Sequence, residues 1–510
     1  MLVLKFGGTS VGSGERILRV AEIALGLHAR EPVVVTSALA GVTDALLALA
    51  TAAAQGDRAE CDARLAAIEQ RHFDAAHSID PGGDWAALRD RFVALGDAIA
   101  TACDAQDGSL AMRDGIIGWG ELLAVLLVER AINRVGGSGY AWDEPLIATD
   151  DHYGEATPDA AKTRTLATTA WEAFQAWRGS QPLPGIFVAP GFIGQAVGYP
   201  LTAQRAPDFL EHWINSTTLG RGGSDYSASL IAAALDAEAC WIYTDVDGVF
   251  TADPRLVAGA QPLPIISYAA AGRLALCGAK VLHPRSVAPA AQAGFELRVK
   301  NTFHPEHEGT LLVAASDATH GLPLAVAGRR KLAMIVLDGP SLPTIPNLFG
   351  RLCTAISAAG AEIVLAAQPV PGHDPRIVID AVGADAAQQH IQQEFAHEIA
   401  RGQIAGQRTI DGLALCTVVG DTLASTWGTL AQRALASEKI TPRLHSAAPE
   451  ALTYIIAATD LDRAIVRLHR DVIEPALREL AQQRARPYAN GQWAAGGRTQ
   501  QRRRTIPPQH

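Results

Sequence analysis

Leu2-Val-Leu-Lys5-Phe-Gly-Gly-Thr-Ser10 is the stretch on which the fold class turns. A short apolar run ends in two glycines. Glu15 to Leu27 then shows helical periodicity, and Pro32-Val-Val-Val-Thr36 is the apolar run of a strand buried on both faces. Strand, glycine turn, helix and strand form one α/β unit. The glycines let a backbone loop approach an anion, the helix aims its N-terminus at that anion, and Lys5 supplies a compact charge. On local grounds the same residues are equally a tight strand-to-helix turn.

Outward from this unit, residues 44–135 are almost wholly helical in pattern, and strand-like runs return at 185–190, 239–244 and 297–300. The alternation persists to about residue 313. It predicts an α/β domain over 1–313, a three-layer αβα sandwich with a mainly parallel sheet. Beyond it, strand, helix, strand, strand and helix patterns follow at 332–337, 346–359, 363–367, 377–381 and onward, and the order recurs from 413 to 470. A repeat of roughly 80 residues predicts two small βαββαβ units, 321–400 and 401–476, with one irregular α+β domain as the alternative. Residues 477–510 read as a basic, disordered tail.

Composition bounds the function classes. At roughly 150 residues per domain, 510 residues imply three or four domains. Hydrophobic residues at 48% and charged residues at 19% exclude a disordered or fibrous chain. No apolar run approaches a membrane span, and Met1 to Lys5 does not start a signal peptide, so a cytoplasmic protein is expected. Six scattered cysteines suggest neither a disulfide framework nor a zinc ribbon. From Leu480 to His510 there are six arginines and no acid, so the net charge of -10 hides a more acidic body, a poor binder of nucleic acid. The chain has only six lysines, among them Lys5 and Lys280. Where arginine is the usual cation, each lysine marks a position wanting a point charge.

Neither common nucleotide fingerprint, Gly-x-Gly-x-x-Gly or the P-loop, occurs. Thr217-Thr-Leu-Gly-Arg-Gly-Gly-Ser-Asp225 runs into a helical pattern; Ser224 or Asp225 caps it, or Asp225 orients lysines near phosphate, while Arg221 offers its fork to a carboxylate. Tyr243 to Arg255 is a carboxylate-rich strand end that lacks the closing Glu of a calcium loop. Cys277-Gly-Ala-Lys280-Val-Leu-His283 carries another lysine after a glycine, and His283 before Pro284 reads as a structural hydrogen-bond partner. Glu121, beside the apolar run Leu122 to Val128, is either a surface helix start or the partner of a ligand cation.

Lys5 to Ser10, Ser37 to Thr43, Gly120-Glu121, Gly191-Phe-Ile-Gly194, Thr217 to Asp225, Thr244 to Gly248, Asp253-Pro-Arg255 and Gly278 to Pro284 stand in the order found in aspartate kinases. The chain resembles that family from residue 1 to about 475, and its two C-terminal repeats resemble paired ACT domains. The resemblance implies transfer of the ATP γ-phosphoryl group to the β-carboxylate of L-aspartate, the first step towards lysine, threonine and methionine. It implies catalytic roles for Lys5, Asp225 and Lys280. Thr43, Glu121, Arg221, Gly222, Gly223 and Ser224 would hold aspartate, with Glu121 on its ammonium and Arg221 on a carboxylate. Lys5, Phe6, Gly7, Gly8, Thr244, Asp245, Phe250, Arg255, Lys280 and Val281 would line the ATP site, with Mg2+ travelling on the nucleotide and no metal site in the protein. Gln368 would touch an amino-acid effector, and the ACT domains would join a homodimer or higher homo-oligomer. Phe250 departs from the family's usual tyrosine, and 195–216 is longer than the family spacing, a lid or a surface insertion. A catalytically silent amino-acid sensor and a kinase of another amino-acid carboxylate are the alternatives.

Overall fold

Leu2, Leu4 and Phe6 of β1 (Leu2–Phe6) are buried in one apolar cluster, while Val3 is buried in another on the opposite face. Side chains alternate along a strand, so Lys5 emerges on the Val3 side. Val34 of β2 (Pro32–Thr36) joins the first cluster, and Val33 and Val35 join the second. A sheet apolar on both faces has to be covered on both. In the computed structural model, which describes residues 1–197, 215–279, 282–314, 321–367, 374–423 and 425–485, helices do so. Five helices between Gly14 and Arg134 cover one face; Ala160–Arg178, Gly223–Ala234, Tyr268–Leu276 and Pro284–Ala293 cover the other.

The remaining strands of this half are β3 (Ser138–Ala141), β4 (Ala148–Thr149), β5 (Gly185–Pro190), β6 (Ile193–Ala196), β7 (Ser216–Thr218), β8 (Ala239–Thr244), β9 (Ile265–Ser267), β10 (Glu296–Asn301) and β11 (Thr310–Val313). The main sheet runs β3-β5-β2-β1-β8-β10-β11-β9 and is parallel except for the β10–β11 pair. Strands β4, β6 and β7 form a small separate sheet. The αβα expectation and its mainly parallel sheet are observed. In such sheets ligands bind outside the C-terminal strand ends, where β1 ends at Phe6 and β8 at Thr244.

The C-terminal half is a six-stranded sheet, β13 (Ile363–Ala367), β14 (Arg376–Asp380), β12 (Pro323–Asp338), β15 (Gly406–Gly420), β17 (Ala451–Ala457) and β16 (Leu444–Ala448) in spatial order. Two βαββα patterns follow the chain, but β12 and β15 are 16 and 15 residues long and serve both units. Residues 332–338 of β12 and 406–410 of β15 belong with β13, β14 and the helices Leu348–Ala358 and Ala384–Glu394. Residues 323–329 and 413–420 belong with β16, β17 and the helices Ser425–Ser437 and Leu461–Leu468. Each unit thus takes its sixth element from the other's strand. The division into 321–400 and 401–476 follows chain order, whereas the sheet interleaves the two segments. The sequence hides this because Gly328-Arg-Arg-Lys331 reads as a polar break. In the structure it is an irregularity in one continuous strand, with Lys331 at φ +61°.

Among the described residues no helix is long and apolar enough to cross a membrane. All six cysteines are free.

Candidate active site

Alternation along β1 brings Lys5 to the N-terminus of the helix Gly223–Ala234, where its ammonium pairs with Asp225. Lys5 is 8% exposed, so the pair sits at the bottom of a cleft rather than on the surface. Asp225 does not cap its helix as one reading had it. The N-cap is Gly222 with no side-chain bond, which leaves the carboxylate of the first turn free for the lysine.

Above this pair lies a cavity of about 550 Å³. Lys5, Gly8, Thr43, Glu121, Arg221, Gly222, Gly223, Ser224 and Asp225 line it, so the sequence-predicted substrate residues converge together with Lys5. Glu121 is not a helix start. It lies in the middle of the 25-residue helix Leu110–Arg134, is 2% exposed, and is walled in because Gly120 lets the helix press on Ala38. Its Oε1 accepts the Ala38 amide at 3.1 Å, and its buried Oε2 has no hydrogen-bond partner. Burial pushes its carboxyl up to about 8, against the opposing pull of the Ala38 amide and the Lys5 charge. A buried carboxylate oxygen without a donor is costly unless a ligand supplies one.

One helical repeat earlier, Asp114 is fully buried, and its Oδ2 accepts the Gly154 amide at 2.6 Å and the Thr218 amide at 2.8 Å. Burial raises its pKa against those bonds. It ties the Gly154 loop to the end of β7, both of which edge the cavity. Phe192, also in the lining, has φ +67°, a strained state for an aromatic residue, fixed where its amide donates to Ser227 Oγ at 2.8 Å. In the sequence the Gly191–Gly194 motif stands without a role for Phe192, and Asp114 is passed over. The seven-residue spacing of Asp114 and Glu121, which puts both on one helix face, was the available signal.

Gly222 has φ +73°, and an added Cβ would lie 2.4 Å from the His283 ring. His283 itself caps the helix Pro284–Ala293, accepting the Arg285 amide, the structural role expected of it. Gly222→Ala combines backbone strain with this collision. It is expected to lower kcat/KM for the acceptor about tenfold or more while costing only about 1–3 kcal/mol of global stability, checked by steady-state kinetics beside a thermal melt.

The nucleotide candidates are more dispersed. Phe6 is fully buried, its ring stacked on Tyr243 with centroids 4.7 Å apart, so only its backbone is available to a ligand. Gly7 lies beside the Lys5 ammonium, and Gly8 packs on the Ala38 carbonyl. Thr244 ends β8, with its hydroxyl accepting the Val246 amide at 3.1 Å, and Asp245 is exposed beside it. Phe250 forms a bridge to Pro262, and exposed Arg255 is held bidentately by Asp253 at 2.9 and 2.6 Å. Thr244, Asp245, Phe250 and Arg255 lie outside the cavity lining. Lys280, Val281 and Gln368, positions 198–214 of the longer segment 195–216, and the tail beyond 485 lie outside the described residues. No cluster of three metal-binding side chains occurs among the described residues.

Residues 1–301 match the model of the amino acid kinase family. Aspartokinase 3 of Arabidopsis thaliana chloroplasts is 32% identical over 348 residues, covering 65% of this chain and 56% of that protein. The lysine-sensitive aspartokinase 3 of Escherichia coli is 28% identical over 492 residues, covering 93% of this chain and 99% of that one. The crystal structure of E. coli aspartokinase III with aspartate and ADP superposes with a TM-score of 0.75 at 26% identity, over 92% of this chain and 99% of that chain. The chain spans about half the length of the curated plant relatives it matches.

Proposed function

The chain belongs to the amino acid kinase family, and from that premise we propose that it is an aspartate kinase, forming 4-phospho-L-aspartate from L-aspartate and ATP. The observation that carries the acceptor assignment is the buried, partnerless Oε2 of Glu121 in a cavity that also holds Arg221. An amino acid carrying one ammonium and two carboxylates satisfies both groups. A β-carboxylate oxygen would attack the γ-phosphorus, forming one O–P bond as the bond to the bridging oxygen of ADP breaks. Such a transfer asks the protein for alignment and charge neutralisation rather than covalent help.

In this reading Lys5, oriented by Asp225, neutralises the transferring group, and Lys280 shares that work. Glu121 receives the ammonium and Arg221 a carboxylate, while Thr43, Gly222, Gly223 and Ser224 shape the pocket around them. The backbone at Phe6, Gly7 and Gly8, with Thr244, Asp245, Phe250, Arg255 and Val281, would receive ATP. Mg2+ would arrive with the nucleotide and neutralise phosphate charge there. The reading includes a cytoplasmic homo-oligomer joined through its ACT-like units, serving lysine, threonine and methionine synthesis, and a feedback amino acid near Gln368. It is supported by one relative, the E. coli aspartokinase III, which is crystallised with aspartate and ADP and is named as lysine-sensitive.

The test is hydroxylamine trapping of acyl phosphate by the purified chain with Mg·ATP. Hydroxamate is expected with aspartate and not with glutamate, and none with aspartate sinks the assignment. Adding lysine, threonine or methionine singly then identifies the effector.

A further inference from the structure

Thr251 is a point where the catalytic and regulatory halves meet atom to atom. Its carbonyl accepts the Val326 amide of β12 at 2.8 Å, and its amide donates to the Gln261 carbonyl at 2.9 Å. Its hydroxyl accepts the Gln261 amide at 3.1 Å and lies 2.9 Å from His469 Nε2. With the oxygen already accepting, the hydroxyl hydrogen is the natural donor to Nε2, which puts the imidazole proton on Nδ1. His469 is fully buried, and Nδ1 faces Glu474 Oε1 at 3.6 Å, beyond hydrogen-bond length. Burial lowers the ring's pKa, in keeping with a neutral imidazole.

His469 opens a single π-helical turn, His469–Ile473, between the helices Leu461–Leu468 and Glu474–Ala485. Such turns insert a residue and re-aim side chains, and they gather at functional sites. The apolar packing agrees with the hydrogen bonds. Ala252 and Val257 are buried in the same cluster as Val326, Cys416, Leu468 and Val472, so residues 251–257 are built into the second regulatory unit rather than free to follow the catalytic sheet.

We propose that His469 is a positioning residue for the nucleotide: through Thr251 it fixes the segment that carries Phe250 and Arg255, so the second regulatory unit sets ATP affinity directly. The inference rests on the nucleotide placement proposed above. It concerns the unit that lacks Gln368, and it gives that unit a task independent of any effector bound to the other. Loss of the bond leaves Thr251 held by Gln261 and Val326 alone and does not open the aspartate cavity, whose lining contains neither Thr251 nor His469.

Thr251→Val keeps the volume and removes the hydroxyl, His469→Leu removes the ring nitrogen, and His469→Gln returns a polar atom at similar reach. Thr251→Val and His469→Leu are each expected to raise KM for ATP about five- to tenfold, with KM for aspartate within about twofold, and the double variant is expected to match the worse single one. His469→Gln is expected to restore most of the ATP affinity. An unchanged KM for ATP in folded Thr251→Val overturns the proposal, as does a parallel shift of both KM values and kcat. Should His469→Leu fail to fold, Thr251→Val and His469→Gln decide the matter. Mg·ADP affinity, measured by calorimetry on the same proteins, separates this inference from the acceptor assignment. A wild-type chain that binds Mg·ADP but makes no hydroxamate loses the latter and still tests the former, whereas one that does not bind Mg·ADP loses both.

Discussion

Lys5→Ala is expected to reduce turnover about 10²- to 10³-fold, a loss of about 3–4 kcal/mol of transition-state stabilisation, while leaving KM for aspartate within about threefold. β1 fixes the lysine's backbone between two parallel neighbours, and the side chain is almost buried at the strand's C-terminal end. Its ammonium therefore needs little reorganisation to meet charge developing on a phosphoryl group. The substitution also strands Asp225, so part of any activity loss could be structural. Adding Asp225→Asn separates the effects: the double variant is expected to recover thermal stability and not turnover. Lys5→Arg is not expected to rescue, because the planar fork does not replace a compact charge held between Gly7 and Asp225. Turnover of Lys5→Ala within about tenfold of the wild type, read as hydroxamate formed per enzyme, would remove the lysine from the chemistry.

The second large effect concerns Glu121. With its carboxyl raised to about 8, burial holds it protonated through most of the neutral range, whereas an ammonium ligand requires the carboxylate. Binding aspartate must expel that proton. Apparent affinity should therefore improve as pH rises from about 6.5 towards 8 and level off above it. Glu121→Gln is expected to raise KM for aspartate about 10- to 100-fold at pH 8 and to flatten this dependence. The sign for stability is opposite. Between the unfolded carboxyl value, near 4.5, and about 8 the folded state binds the extra proton, so the wild type loses stability as pH rises while Glu121→Gln does not. Melting curves of both proteins between pH 6 and 9 that run in parallel would refute the burial argument.

The αβα half was legible because its signal is local. Apolar runs such as Pro32–Thr36 are too short for a buried helix and read as strands, and the glycine turn after β1 fixes the strand-to-helix order. The substrate cluster was legible as residue types, since Lys5, Glu121, Arg221 and Asp225 are charges placed among glycines or apolar residues. Their burial was not. Glu121 read equally as a helix start or a ligand partner, whereas in the structure Gly118 and Gly120 before it thin the helix where Ile193 and Ala38 press against it. Phe192 left only the ambiguous trace of flanking glycines, because a left-handed aromatic is set by its tertiary surroundings. The regulatory sheet was legible as a repeat, yet not as an exchange. Strand pairing between partners 68 (Asp338 and Gly406) to 97 (Pro323 and Gly420) positions apart writes no local pattern, and the charges of Arg329, Arg330 and Lys331 conceal the continuity of β12. Likewise the contact of His469 with Thr251 spans 218 positions and follows from neither neighbourhood alone.

The exchanged halves of β12 and β15 also limit how the regulatory half can be cut and recombined. A segment moved at 400/401 would carry away the edge that completes the other unit and leave a row of bare amides on each side. A graft that respects the sheet must enter between residues 329 and 332 and leave between 410 and 413, at two of the three places where the paired strands slip register. Treated that way, the first unit is an insertion in a host whose ends are already joined, and exchanging that unit between relatives becomes a replacement of the inserted segment rather than of the C-terminus.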